Sequence, residues 1–409
     1  RYHAGPGPIA ARVIVQSDTA TAPIKTIWDT FGVIRGSEFP DEIVMIGGHR
    51  DAWGPGAADN VSGTVSVLEA ARAVEAEVKA GHRPKRTIIF ATWDAEEWGL
   101  LGSTEYVEDD SLRLMRGAVA YFNQDVAAQG PAFGGGGSPS LRPTVRDVTK
   151  HVKDPSGTGT VYDVWRRRAN VADTVEPRMS DPGGGSDFAG FYNHLGIPIA
   201  EWGFGGADGV YHSLYDSFHW MSKFGDPTFG YHVAAASIGA AIVLRMADAD
   251  ILPYDYVEYA RTMREYVPKV QAAAKAKGVT VDTVALSAAI ERMENAASVF
   301  DAARDSVLGP GHASPSRGIS VRTNAALMRV ERALTRTSGL RTRPWFRNLI
   351  YAADEDNGYA NMAFPSVNEA IRSGDQALTT KEVADLASRF DAATAAIVEA
   401  TTAVRAAGK

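Results

Sequence analysis

The sequence predicts an α/β fold, a mostly parallel mixed sheet flanked by helices, followed by a C-terminal helical bundle. Three observations carry this reading. Apolar runs at residues 43–46, 86–93 and 117–123 have the composition of buried strands. An amphipathic run over 61–78 separates the first two, as in a β-α-β unit. Beyond Pro227 apolar residues recur with helical spacing almost to the end of the chain. Ile251-Leu252-Pro253 marks the boundary, giving a first domain over 1–252 and a second over 253–409.

Taken in order, residues 12–16 and 26–34 alternate apolar and polar side chains, as antiparallel edge strands do. Strand 43–46, bounded by Gly47 and Gly48, runs into His49. His49 and Asp51 are two apart in extended chain, so their side chains leave one face and the carboxylate can orient the imidazole. The loop Ala52-Trp53-Gly54-Pro55-Gly56 leads to Asp59, just ahead of the amphipathic run, where N-capping alone would also select Asp59-Asn60. After a polar turn at 81–84, strand 86–93 ends in Asp94-Ala95-Glu96-Glu97, with a helix following to Glu108. Acids in a first helical turn suit the macrodipole, so Glu96 and Glu97 also have a structural explanation. The third strand ends in Asp125. Right-handed crossovers set equivalent strand ends side by side, so these acids and the imidazole are expected to converge.

The stretch 130–143 holds a glycine run, Gly134 to Gly137, without a lysine at P-loop spacing, and is expected to be a mobile loop. A second glycine cluster, Pro182 to Asp187, precedes a helix over 188–195. Ser186 or Asp187 reads there as a cap, the alternative being close approach of a ligand to the glycine backbone. Strand 197–203 leads through a glycine-rich loop to Tyr211-His212-Ser213. His3 lies at the start, His82 and His312 lie in polar turns, and His151, His194, His219 and His232 lie in or beside helical patterns, so only His49 and His212 fit a site. Helices are expected over 256–274, 281–307, 320–337 and 380–407, and the aromatic non-helical stretch 344–365 is expected to pack on the first domain.

An apolar fraction of 45% and a charged fraction of 22% are those of a globular protein. With a net charge of -7 and no basic block interleaved with aromatics, nucleic acid and anionic membrane surfaces are poor partners. Cysteine is absent, so any metal site must use histidine and carboxylate. No unbroken apolar stretch is long enough for a membrane span. The chain starts at Arg1 and reads as a processed or excised piece.

His49, Asp59, Glu96, Glu97, Asp125 and His212 are thus the candidates, and two imidazoles with four carboxylates suit two divalent ions sharing one bridging carboxylate. Five ligands leave one carboxylate over. Of the adjacent Glu96 and Glu97, one can bind metal while the other serves as general base for a water attacking an amide carbonyl. No nucleophile-elbow motif or cysteine offers a rival hydrolase.

The segments GGHRDAW, FATWDAEEWGLLGSTEY, YFNQD, GGGSDF and YHSLYD, with LPYD, NLIYA and GYA further on, closely resemble the glutamate carboxypeptidase II family of co-catalytic zinc exopeptidases, which also contains the transferrin receptors. The resemblance implies two Zn2+ per chain, one on His49 and Asp125, the other on Glu97 and His212, bridged by Asp59, with Glu96 as base. It implies that Asp51 supports His49, that the Asp59-Asn60 peptide is cis, and that Glu105 and Glu108 are two ligands of a structural Ca2+. Tyr211 and Tyr359 match substrate-contacting tyrosines, and Gly185, Ser186 and Glu201 are placed with them in the substrate site.

Glutamate-selective members carry a lysine where this chain has Gly358, and arginines where it has Glu201 and Gly203, which favours a cationic substrate group. The resemblance implies a carboxypeptidase-like exopeptidase acting on peptides, with an aminopeptidase or dipeptidyl peptidase as the alternative. A non-catalytic receptor is disfavoured because all five ligands are present. It further implies a homodimer formed through the helical domain and an extracellular or periplasmic location. The family's first peptidase segment and inserted apical domain are expected to be absent or on a separate chain.

Overall fold

The computed structural model describes Gly7, Arg12, Ile14 and residues 24–406 apart from 173, 207, 208 and 310–313. Of the expected strand at 12–16 only Arg12 and Ile14 are described, neither in a strand, and the rest of it lies outside the described residues, as do His3 and His312.

Six strands form the main sheet: β1 (Thr30–Ile34), β2 (Phe39–His49), β3 (Arg86–Trp93), β4 (Ala118–Asn123), β5 (Ala132–Gly137) and β6 (Ile199–Gly205). Their order is β1-β3-β2-β4-β6-β5, with the four inner strands parallel and both edges antiparallel. The apolar runs that predicted strands are the inner ones, and every residue of β3 and β4 is buried. β2 continues through Gly47 and Gly48 to His49, further than the apolar run alone indicates. A Cβ on Gly48 would lie 2.1 Å from the Gln124 carbonyl oxygen, so glycine there permits close packing rather than ending the strand. Register then fixes the site: His49 pairs with Trp93 and Gly47 with Asn123, so the residues after β3 and β4 emerge level with His49.

One finding differs sharply from expectation. The glycine run is an edge strand, β5, hydrogen-bonded along β6, and not a mobile loop. Glycine carries no strand signature of its own, and the pairing that orders it comes from a strand far along the chain.

Around the sheet lie α1 (Gly63–Lys79), α2 (Leu101–Asp109), α3 (Ser111–Gly117), α4 (Arg142–Thr149), α5 (Val161–Ala169), the single turn α6 (Phe218–Trp220) and α7 (Gly230–Asp248). Glu96 and Glu97 precede α2 in a turn, so the first-turn explanation does not apply to them. By length and composition α7 could cross a membrane, although the sequence led us to expect no such segment. It packs instead on α1, β2 and β3, burying Ile238, Ile242, Val243 and Met246.

The helical region comprises α8 (Tyr256–Lys277), α9 (Val284–Leu308), α10 (Arg317–Leu327), α11 (Arg329–Ala333), α12 (Pro365–Ser373) and α13 (Gln376–Arg405). The helix expected over 320–337 is two, broken at Met328. Between α11 and α12 a small hairpin, β7 (Tyr351–Ala353) with β8 (Asn361–Ala363), packs on the first region as expected. The amides of Arg347 and Asn348 both reach the Asn193 carbonyl, at 2.8 and 2.9 Å, and Asn193 Nδ2 donates to Tyr351 O at 3.2 Å.

Glu331 on α11 is buried between the regions, where its Oε1 accepts from Ser140 Oγ, and burial pushes its carboxyl up to about 7. The folded state therefore binds more protons than the unfolded chain between pH 4.5 and about 7. This stabilising contribution is complete below that window and lost as pH rises through it. Glu331→Gln keeps an acceptor without the charge. It is expected to match the parent near the lower limit and exceed it by roughly 1–3 kcal/mol above the upper one, as read by urea unfolding at the two pH values.

Candidate metal centre

The centre is built from the carboxyl ends of the parallel strands, where open α/β sheets place ligands. His49 ends β2 and is 1% exposed. Its Nδ1 bonds to the Asp51 carbonyl oxygen at 3.0 Å, which leaves Nε2 facing Asp59 and Asp125. The spacing argument therefore paired the right residues through a different atom, since the nearer Asp51 carboxylate oxygen lies 3.6 Å away. That carboxylate has another task. Its two oxygens accept the backbone N–H groups of Glu96 at 3.0 Å and Glu97 at 3.2 Å, fixing the turn that carries both glutamates.

Asp59 sits between the histidines. Its Oδ1 is 3.1 Å from His49 Nε2, and its Oδ2 is 3.1 Å from His212 Nε2. Asp125 Oδ1 joins the first side at 3.2 Å from His49, and Glu97 Oε2 joins the second at 3.1 Å from His212. Asp59 is not a helix cap: the neighbouring Asn60 takes that role, its Oδ1 accepting from Gly63 N at 3.1 Å. Asn60 also donates from Nδ2 to the carbonyls of His49 and Gln124, and its Oδ1 accepts from Val126 N. The Asp59-Asn60 peptide is cis, as the resemblance implies. Asp216, for which the sequence suggested no role, accepts Ala58 N at 2.7 Å and Asp59 N at 2.9 Å. Its place in YHSLYD, four residues after His212, was the available signal.

His212 has a φ of 54°, a left-handed conformation uncommon outside glycine, and the Tyr211 ring stacks on it at 3.7 Å. Asp125 is held by Ser186, whose Oγ donates to its Oδ2 at 2.6 Å while accepting from Asn123 Nδ2 at 2.8 Å. Ser186 thus supports Asp125 and is not a helix cap. Trp93 Nε1 donates to the Tyr121 hydroxyl and that hydroxyl to Asn123 Oδ1, so the relay begins in the aromatic core.

A divalent cation fits these residues. Donor separations of 3.1–3.2 Å are close to the edge of a zinc coordination tetrahedron, about 3.3 Å for bonds near 2.0–2.1 Å. Glu97 Oε1 is buried without a hydrogen-bond donor among the described residues. Burial alone would lower the His49 pKa, yet the facing carboxylates of Asp125, Asp51 and Asp59 raise it, so this shell favours positive charge at Nε2. Burial would raise Asp125, and its bond to His49 outweighs that and lowers it. Glu97 is raised by burial and by Asp59.

Glu96 lies farther out than the closest donors. Its Oε2 is 3.9 Å from His49 Nε2, near enough to form a potential ligand group with His49 and Asp125, and burial, opposed by His49 and reinforced by Asp187, pushes it up to about 9. Asp187, unassigned from sequence beyond a cap, is fully buried, and neither carboxylate oxygen meets a hydrogen-bond donor at bonding geometry among the described residues. Glu105 and Glu108 lie exposed on α2, Glu108 Oε1 accepting from Trp345 Nε1 at 2.6 Å. Among the described residues neither belongs to a group of three potential metal ligands.

Beside the centre opens a cleft of about 980 Å³, lined by Asp125, Gly185, Ser186, Glu201, Tyr211 and Tyr359. The Tyr211 and Tyr359 hydroxyls meet at 3.2 Å across it. Glu201 lies on β6 against β5, where a Cβ on Gly136 would come within 3.1 Å of its Oε1. The glycine strand is what leaves that carboxylate room. Asp51→Asn would set an amide donor against a backbone N–H at the 96–97 turn. It is expected to weaken metal affinity about 10–100-fold in chelator competition.

Peptidase family M28 matches residues 29–236, and the transferrin receptor-like dimerisation domain matches residues 281–398. A probable glutamate carboxypeptidase, LAMP1, of Arabidopsis thaliana is 39% identical over 90% of this chain and 52% of its own length. A probable glutamate carboxypeptidase of Zea mays is 36% identical over 93% of this chain and 52% of its own. The aminopeptidase NAALADL1 of Mus musculus is 31% identical over 87% of this chain and 50% of its own. The chain thus spans about half the length of these relatives. It belongs to peptidase family M28, among the glutamate carboxypeptidase II and transferrin receptor-like members, whose peptidase fold is followed by a helical dimerisation domain.

Proposed function

We propose that this chain carries the catalytic centre of a di-zinc exopeptidase of carboxypeptidase-like type. The observation that carries the reading is Asp59, with one oxygen 3.1 Å from each histidine. His49, Asp125 and Asp59 would hold one ion, and His212, Glu97 and Asp59 the other. Bound zinc would supply Lewis acidity toward a carbonyl oxygen and toward water.

The rest is the work of the chain. Glu96, the carboxylate outside both ligand pairs, takes the proton of the attacking water and returns it to the leaving nitrogen. Asp51 keeps Glu96 and Glu97 in place through their amides. Tyr211, Tyr359 and the bare backbone at Gly185 shape the cleft that receives the substrate.

Glu201 favours a second reading, cleavage beside a free amine. Among the described residues this cleft carboxylate makes no ion pair, and with Gly358 in place of a lysine the cation lining the cleft is Arg178. Pairing through α8–α13 is part of the proposal and has support from the dimerisation-domain match. Export and a calcium at Glu105 and Glu108, completed by ligands outside this chain, rest on the resemblance alone. Metal content and hydrolysis of peptides blocked at either end test the assignment. Glu96→Gln is expected to retain two zinc ions and lose about 10²–10⁴-fold in kcat. An equal loss of metal would overturn the role of Glu96, and a metal-free parent would overturn the centre.

A further inference from the structure

The glycine-rich segment walling the cleft is anchored, through one carboxylate, to elements of both regions. Asp181 stands at its root. Asp181 Oδ1 accepts from Arg142 Nη2 at 2.6 Å and from the Tyr351 hydroxyl at 2.9 Å, while Oδ2 accepts from the Tyr266 hydroxyl. Arg142 belongs to α4, Tyr266 to α8 and Tyr351 to β7, and all three side chains are buried or nearly so. Burial would raise the Asp181 pKa, but bonds from Tyr266, Arg142 and Tyr351 hold it below the usual carboxylate value, so it stays ionised.

From Asp181 the backbone runs under the β7–β8 hairpin. A Cβ on Gly184 would lie 2.4 Å from the Ala353 Cβ, and one on Gly185 2.8 Å from the Tyr359 ring. At the far end Ser186 donates to Asp125. Three consecutive glycines have little stiffness of their own, so the height of this wall over the centre is set by its anchors.

We propose that Asp181 is a positioning residue: with Tyr266 and Tyr351 it fixes the 182–186 wall, and so makes the helical region a determinant of substrate fit. The consequence for substrate rests on the peptidase reading above, while the consequence for the wall does not.

The test compares the parent chain with Asp181→Asn, the milder Tyr351→Phe and the double variant. Hydrogen exchange over 182–188, metal content, kcat and KM are measured for each. Exchange in this segment is expected to quicken at least about tenfold in Asp181→Asn, with metal content unchanged and with Tyr351→Phe adding little on top. KM should rise about tenfold while kcat stays within about threefold, since a displaced wall costs fit before chemistry. Unchanged exchange in both single variants overturns the proposal, as does a fall in melting temperature without any change in KM. Should the parent bind zinc yet cleave no peptide, the peptidase reading fails, and the exchange result still decides the anchoring.

Discussion

Asp59 faces two imidazoles at once, and much of the surrounding structure serves to hold it there. Asp216 takes the amides of the loop that presents it, the following residue Asn60 is tied by its side chain to His49, Gln124 and Val126, and Gly63 lets the chain pass against Gln124. A carboxylate placed this way, with Asp125, Glu97 and Glu96 close by, is costly to bury unless positive charge accompanies it. The fold meets that cost by building the centre at the ends of parallel strands. There Asp59 follows β2, Glu96 and Glu97 follow β3, and Asp125 follows β4.

Much of this was legible from residue order. Apolar runs located the inner strands, and acids or imidazole at their ends marked the centre because parallel register brings such ends level. What stayed hidden depends on partners far along the chain. Gly134 to Gly137 form a strand because β6 pairs with them, and no local pattern in a glycine run reveals that. Asp216 and Asn60 act through backbone groups, which leave no mark on composition. Asp51 was correctly coupled to His49 by spacing, yet the contact is made by its carbonyl, leaving its carboxylate for the glutamate turn.

Two kinds of support recur around the centre. Ser186 and Asp51 hold side chains or turns directly, within one hydrogen bond of Asp125 or Glu97. The relay from Trp93 through Tyr121 and Asn123 to Ser186 reaches deeper, joining the aromatic core of the sheet to Asp125. The second arrangement couples core packing to the site: the Tyr121 ring, stacked on Phe191 at 4.0 Å, also carries the hydroxyl of the relay that ends at Asp125.

The seam between the glycine wall and the hairpin has a consequence for how such a protein can change over time. Gly184 and Gly185 lie so close to Ala353 and Tyr359 that the glycine side has no room for an added atom unless the other side gives way. Variation there is confined to matched exchanges across the seam, a larger group on one side with a smaller one on the other. The two regions therefore cannot be recombined freely between relatives. A cleft with new selectivity must be inherited with the helical segment that closes it.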